Sequence, residues 1–150
     1  MAKSELNFSE SIAYSFPVVS LAVLQKYAGK TNVLESITNV EIKDNVISIE
    51  KIKEVTNLSQ KAFYSVVQKV DFKNELMSHE ETFLTGAHRF GSDTIQESSV
   101  YRKNSETTTE YKKNITLKSS FLLNKYVSLL HLYGMNLLNK SCITVQANHI

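Results

Sequence analysis

The feature that most constrains this chain is its last apolar run. Phe121, Leu122, Leu123, Tyr126, Val127, Leu129, Leu130, Leu132, Tyr133, Met135, Leu137 and Leu138 follow one another with only Lys125 and Lys140 as charges. Read as a helix capped by Ser119 or Ser120, the run is apolar over far more than the usual stripe of about 100°, so most of its girth has to be covered. A curved sheet that grips one long helix is a natural cover, and the gap between them is where a hydrophobic cavity can form.

The rest of the sequence supplies such a sheet. Leu6 to Tyr14 reads as a first strand, and Pro17 opens a short helix over Val18 to Tyr27 that Gly29 stops. Leu34, Ser36, Thr38, Val40 and Ile42 alternate with polar neighbours, and Asp44-Asn45 supplies a hairpin turn. Ile47, Ile49, Lys51, Lys53 and Val55 share one face of the next strand, and Phe63 to Phe72 forms another. Thr82 to Leu84 and Ile95 to Tyr101 are weaker strands around the loop holding Gly86 and Gly91. Asn104-Ser105 is a turn, after which Thr109, Tyr111, Lys113, Ile115 and Leu117 lie on one face of a long strand. The order is strand, helix, an antiparallel meander of about six strands, then the C-terminal helix: an α+β chain with one domain over residues 1–150.

Composition narrows the function classes. A net charge of +2 with the basic residues spread along the chain gives no footprint for nucleic acid. Cys142 is the single cysteine, which leaves no disulfide framework or thiolate metal cluster and reads as a small buried hydrophobe. No uninterrupted apolar run of about 18 residues calls for a transmembrane helix, and Met1 to Glu10 reads as neither a signal nor a transit peptide.

Chemistry-bearing clusters are few. His79, Glu80 and Glu81 lie near Asp71 and Glu75 in sequence, but His79, His88, His131 and His149 show no ligand spacing; a solvated edge or turn is the expectation, with no metal site. No GxSxG elbow and no Gly-rich phosphate loop occur, so neither catalysis nor a cofactor is expected. Lys51 and Lys53 share the phase of Ile47, Ile49 and Val55. Either that face looks inward, and two ammonium groups need an anionic partner, or it faces solvent with Val46 and Ile52 turned in. Lys26, Tyr27 and Lys30 cluster where the first helix ends, suiting its dipole and also an anion-binding mouth.

Several segments, in order, resemble the PRELI-like (PRELI/slowmo) phospholipid-transfer family. Phe16-Pro17 through Lys26-Tyr27 is similar to that family's first helix and the start of its Lys/Arg-Tyr-Pro-Asn-Pro signature, with Ala28-Gly29-Lys30 replacing the proline-bearing part. Ile37 to Lys43 resembles its second strand, and Lys51-Ile52 stands where an Arg-Leu would be. Val70-Asp71, Met77, Glu97 to Tyr101, Ile115-Thr116-Leu117-Lys118 and Leu122 to Leu130 with Tyr126 resemble later elements. The family's lid between the third and fourth strands has only Thr56 to Gln60 here, unless a segment near Gly86 to Ser92 serves instead.

The resemblance implies a helix-grip, START-like fold of about six to seven strands and a non-enzymatic carrier of phosphatidic acid or phosphatidylserine. On that reading Lys26, Lys51 and Lys53 receive the lipid head with help from Lys125 and Lys140, while Tyr27, Ile49, Tyr111, Tyr126 and Leu130 line the cavity. It also implies transient membrane contact, a small cysteine-rich helical-hairpin partner, and the mitochondrial intermembrane space, with the cytoplasm as the alternative. A protein-interaction module with a degraded or lidless cavity is the competing expectation.

Overall fold

A computed structural model describes residues 3–27, 30–86, 93–118 and 121–148. The period-two segments become seven strands: β1 (Lys3–Ile12), β2 (Val33–Lys43), β3 (Val46–Asn57), β4 (Gln60–Asp71), β5 (Leu76–Gly86), β6 (Asp93–Lys103) and β7 (Thr109–Lys118). Two helices, α1 (Phe16–Gln25) and α2 (Phe121–Asn148), interrupt and follow them. The strands form one antiparallel sheet in the order β1-β7-β6-β5-β4-β3-β2, so every neighbour except β1–β7 is a sequential hairpin. The expected helix-grip architecture is present.

Tight turns fix the register. Asp44 and Asn45 have φ of 51° and 65°, and Leu58 and Ser59 have 49° and 68°. Positive φ at both central residues is the type I′ geometry whose twist matches the flanking strands. The β3–β4 connection is therefore a two-residue hairpin, which leaves no lid at that point; residues 87–92, the alternative cover, lie outside the described residues. β5 is longer than Thr82 to Leu84, and β6 extends both ways from Ile95 to Tyr101. Gly86 ends β5 at φ 112°, and a Cβ there would sit 2.2 Å from the Lys61 carbonyl oxygen.

The parity of β3 settles the open choice: Lys51 and Lys53 face inward together with Val55. His79 and Glu81 belong to β5, with Glu81 buried, so the expected solvated edge or turn is corrected; the strand's buried parity begins at Met77, five residues before Thr82, where the sequence marked the strand.

The main core lies between α1, the C-terminal half of α2 and one end of the sheet. Phe16, Val19 and Val23 of α1 pack with Leu138, Cys142 and Val145 of α2 over Met77 and Tyr101. Pro17 sits in the first turn of α1 as expected, although the Ser15 hydroxyl makes no capping bond. Thr109 Oγ1 donates to the Tyr14 carbonyl at 2.9 Å and ties β7 to the β1–α1 connection. Cys142 is fully buried, and burial pushes its thiol up to about 11, which fits a packing role.

The last helix is long, as expected, and runs through to Asn148, because Cys142 and Val145 continue the buried face of Leu138 at helical spacing. One expectation about it is corrected. Its girth is not covered: Leu129, Leu132, Tyr133 and Ile143 are more than half exposed. Gly29, Gly91 and the Ser119 or Ser120 cap lie outside the described residues. Leu138 is 1% exposed at the α1–α2 contact, so Leu138→Ala is expected to cost about 2–5 kcal/mol, read as a lower urea midpoint with an unchanged slope.

Candidate functional site: a charged wall facing a small cavity

The concave face of the sheet is polar at its centre. Cross-strand register places Glu35 opposite Lys53, Gln68 opposite His79, Glu81 opposite Glu97, and Ser99 opposite Lys113. Because one parity of each strand points inward, these side chains converge on the inner face.

Lys53 holds the array together. Its ammonium donates to both oxygens of Glu81 at 2.7 Å and lies 4.8 Å and 5.2 Å from the ring centres of Tyr27 and Tyr64. Burial would pull its pKa down, but the Glu81 carboxylate and the surrounding groups outweigh that and hold it above the ordinary lysine range. Burial likewise opposes ionisation of Glu81, yet Lys53 and His79 keep it well below the usual carboxylate range. His79 Nε2–H donates to Glu81 at 2.9 Å, and the Gln68 amide donates to His79 Nδ1 at 3.0 Å. The relay ends at Gln68 Oε1, a buried acceptor without a protein partner. Beside it, Lys113 pairs with Glu97 at 2.7 Å; against the penalty of burial, that ammonium lowers the Glu97 pKa. Two adjacent carboxylates thus stay ionised because each has its own ammonium.

The array faces a cavity of about 20 Å³, lined in part by Val23, Lys26, Tyr27, Glu35, Gln68 and Glu97. Tyr101 and Tyr111, stacked with centres 4.5 Å apart, also line it. That volume holds a water or two and no acyl chain.

The residues singled out in the sequence fall into three groups. Lys26, Tyr27 and Tyr111 line the cavity. Lys51 is buried beside it, 3.9 Å from Glu35 and beyond hydrogen-bonding reach, while Lys53 is engaged by Glu81. Ile49 and Leu130 are half-buried, and Lys140 is exposed on α2. The side chains of Lys125 and Tyr126 lie outside the described residues. Sequence reasoning missed Gln68, His79, Glu81 and Glu97 as wall residues. Lys113 was visible in phase with Tyr111 and Ile115, and its inward ammonium was the signal that anions had to face it.

Lys53→Met is expected to cost about 3–5 kcal/mol, because it strands a buried carboxylate, whereas Lys53→Met with Glu81→Leu recovers most of the loss in urea unfolding. The array also sets a pH dependence. Glu81 and Glu97 are lowered on folding, so the unfolded chain binds more protons, and their contribution, complete above the ordinary carboxylate range, is lost as pH falls through their folded values. Lys53 and Lys113 are raised, so their contribution is complete below the ordinary lysine range and is lost as pH rises through their folded values. Thermal melts across pH should show a plateau near neutrality with an acid decline that the double variant reduces.

No protein-family model matches the sequence, and no curated protein matches it either. Solved structures do match in shape. Human STARD10 superposes with a TM-score of 0.64 at 9% identity, covering 93% of this chain and 63% of its own. Ara h 8.0201 gives 0.63 at 8%, covering 95% and 99%. A point mutant of norcoclaurine synthase from Thalictrum gives 0.53 at 12%, covering 97% of each chain. A synthase shares this scaffold with proteins whose names state no reaction, which leaves function to the site, and at such identities the likeness establishes the architecture: this chain has the START/Bet v1 helix-grip fold.

Proposed function

We propose that the chain is a lipid carrier that receives the polar end of an anionic phospholipid between its sheet and its helices and exchanges it at membranes. The observation that carries this reading is Gln68 Oε1, a buried acceptor on the cavity wall with no protein partner among the described residues. Such an atom costs about 1–3 kcal/mol until a donor reaches it. Lys26 lines the same cavity and supplies a cation. A headgroup with an ammonium beside an anion answers both, which favours phosphatidylserine over phosphatidic acid. Lys51, whose anion stands off at 3.9 Å, is the second cation within reach of a head that displaces Glu35. Loading needs α2 to part from the sheet, since the closed cavity admits only water-sized groups; among the described residues α2 approaches α1 more closely than any strand. Residence in the mitochondrial intermembrane space and a small cysteine-rich helical-hairpin partner belong to the same proposal and rest on the sequence resemblance.

The second reading, a protein-interaction module that moves no lipid, is favoured by one observation: the ammonium groups of Lys53 and Lys113 already have carboxylate partners.

Native mass spectrometry after incubation with mixed phosphatidylserine and phosphatidylcholine vesicles separates the two. The carrier reading expects one retained phospholipid per chain, enriched in phosphatidylserine. Lys26→Glu should reduce retention about tenfold or more, the worth of a charge-assisted hydrogen bond. Lys26 is the residue to reverse, because a carboxylate at buried position 51 would face Glu35 and unfold the wall. A chain that stays empty in vesicles of either lipid decides for the module.

A further inference from the structure

We infer that the outward face of α2, with the lysines that follow α1, is a docking surface for an anionic lipid bilayer. This extends the carrier reading by naming the face that meets the membrane.

The argument starts from two faces of one helix. His131, Leu138, Cys142 and Val145 are buried. Half a turn away, Leu129, Leu132, Tyr133 and Ile143 are 63%, 57%, 55% and 58% exposed; the last three follow Leu129 by three, four and fourteen residues, which keeps them on one side. A row of large apolar side chains along one exposed face is not the scatter that ordinary surfaces show.

Charge identifies the occupant. Every acidic residue of the chain lies in residues 1–10 or 35–110. Residues 16–34 and 121–148, which hold both helices, contain Lys26, Lys30, Lys125 and Lys140 and no acid. Lys30 adjoins the apolar row, its Nζ 6.0 Å from the Tyr133 ring centre; Lys26 meets the helix on its inner side, its Nζ 3.3 Å from where a Cβ on Gly134 would stand. Lys140 is exposed and falls on the same side of α2 as Tyr133, one heptad on. Apolar side chains flanked by lysines, with no acid on either helical segment, match the interfacial layer of an anionic bilayer; Glu10 of β1 approaches α2 at His131 on the opposite, buried face. A protein partner with an acidic rim would offer fewer apolar contacts for this row. The surface lies close to the cavity, because Lys26, which lines the cavity, meets α2 at Gly134, the residue after Tyr133. Docking there would set the cavity mouth against the lipid heads.

Flotation of the full chain with phosphatidylcholine vesicles, with and without phosphatidylserine, tests the surface. The expected result is binding that needs phosphatidylserine and weakens with salt. Leu129→Ser/Leu132→Ser/Tyr133→Ser should abolish it with an unchanged melting temperature, since the replaced side chains are exposed. Lys30→Glu and Lys140→Glu should each lower binding roughly fivefold or more. Equal binding by wild type and the triple variant overturns the proposal, as does equal binding to neutral vesicles. So does a wild type that ignores vesicles and instead self-associates in sedimentation through the same residues, which would assign the face to a second copy. Lipid retention is read separately: vesicle binding by a chain that carries no lipid upholds the surface and rejects the carrier, while retention without vesicle binding does the reverse.

Discussion

The fold depends on a buried ion pair at the middle of its concave face. Lys53 and Glu81 sit on strands separated by β4, so their bidentate contact spans three strands and cannot form unless β3, β4 and β5 are in register. Burying either charge alone would be prohibitive, and burying both is only near break-even. The pair therefore adds little net stability but penalises a misregistered sheet, since a one-residue slip of β3 or β5 would turn one of the two groups to the outer face and leave the other buried without its partner. The type I′ turns at Asp44-Asn45 and Leu58-Ser59 impose the same register locally. Turn geometry and buried charge are two independent constraints on one alignment.

From that pair the rest of the wall follows. Glu97 faces Glu81 across β5 and β6, so its ionised form requires a cation on the far side, and Lys113 on β7 provides it. His79 bridges Glu81 to Gln68 and leaves the amide oxygen as the place where the network is open. The apolar core is displaced toward the α1–α2 end, with Val23 at the boundary between core and cavity. A helix-grip interior is thus divided into a dry end that holds the helices together and a polar end where the Gln68 acceptor is unfilled.

The architecture was legible in the sequence because alternation is strong where one face is wet. β7 and β2 show it plainly, and the helix after β7 declares itself by its apolar content. The site was legible only in part. Lys51 and Lys53 share a phase with Ile49 and Val55, but phase cannot say which face is inside when both faces carry apolar and charged residues. Burial of Val55 and Val66 decides that, and it depends on the neighbouring strands. Gln68, His79 and Glu81 were invisible for a related reason: their roles come from cross-strand pairing, and the polar run around His79 masks the parity that Met77 begins. The end of α2 is carried by Cys142 and Val145, which continue the buried stripe through a segment of mostly polar residues. The resemblance to the phospholipid-transfer family rested on short motifs, and what the shape comparisons add is the broader helix grip.

A helix with apolar residues nearly all round normally signals deep burial. Here the chain is too small to cover α2 on every side: the sheet and α1 cover the side bearing Leu138 and Cys142, while Leu129, Leu132 and Tyr133 look away from it. Leaving three such side chains in water is a standing cost that polar replacements would remove without touching the core. The absence of acids from both helical segments has the same character, because no packing or register constraint forbids Glu on an exposed helical face, where it would favour helix formation. Two features with no role in holding the fold together, one apolar and one electrostatic, coincide on the face that adjoins Lys26 and the cavity. Their coincidence there, and not merely the presence of exposed leucines, is what ties the outside of this protein to its inside.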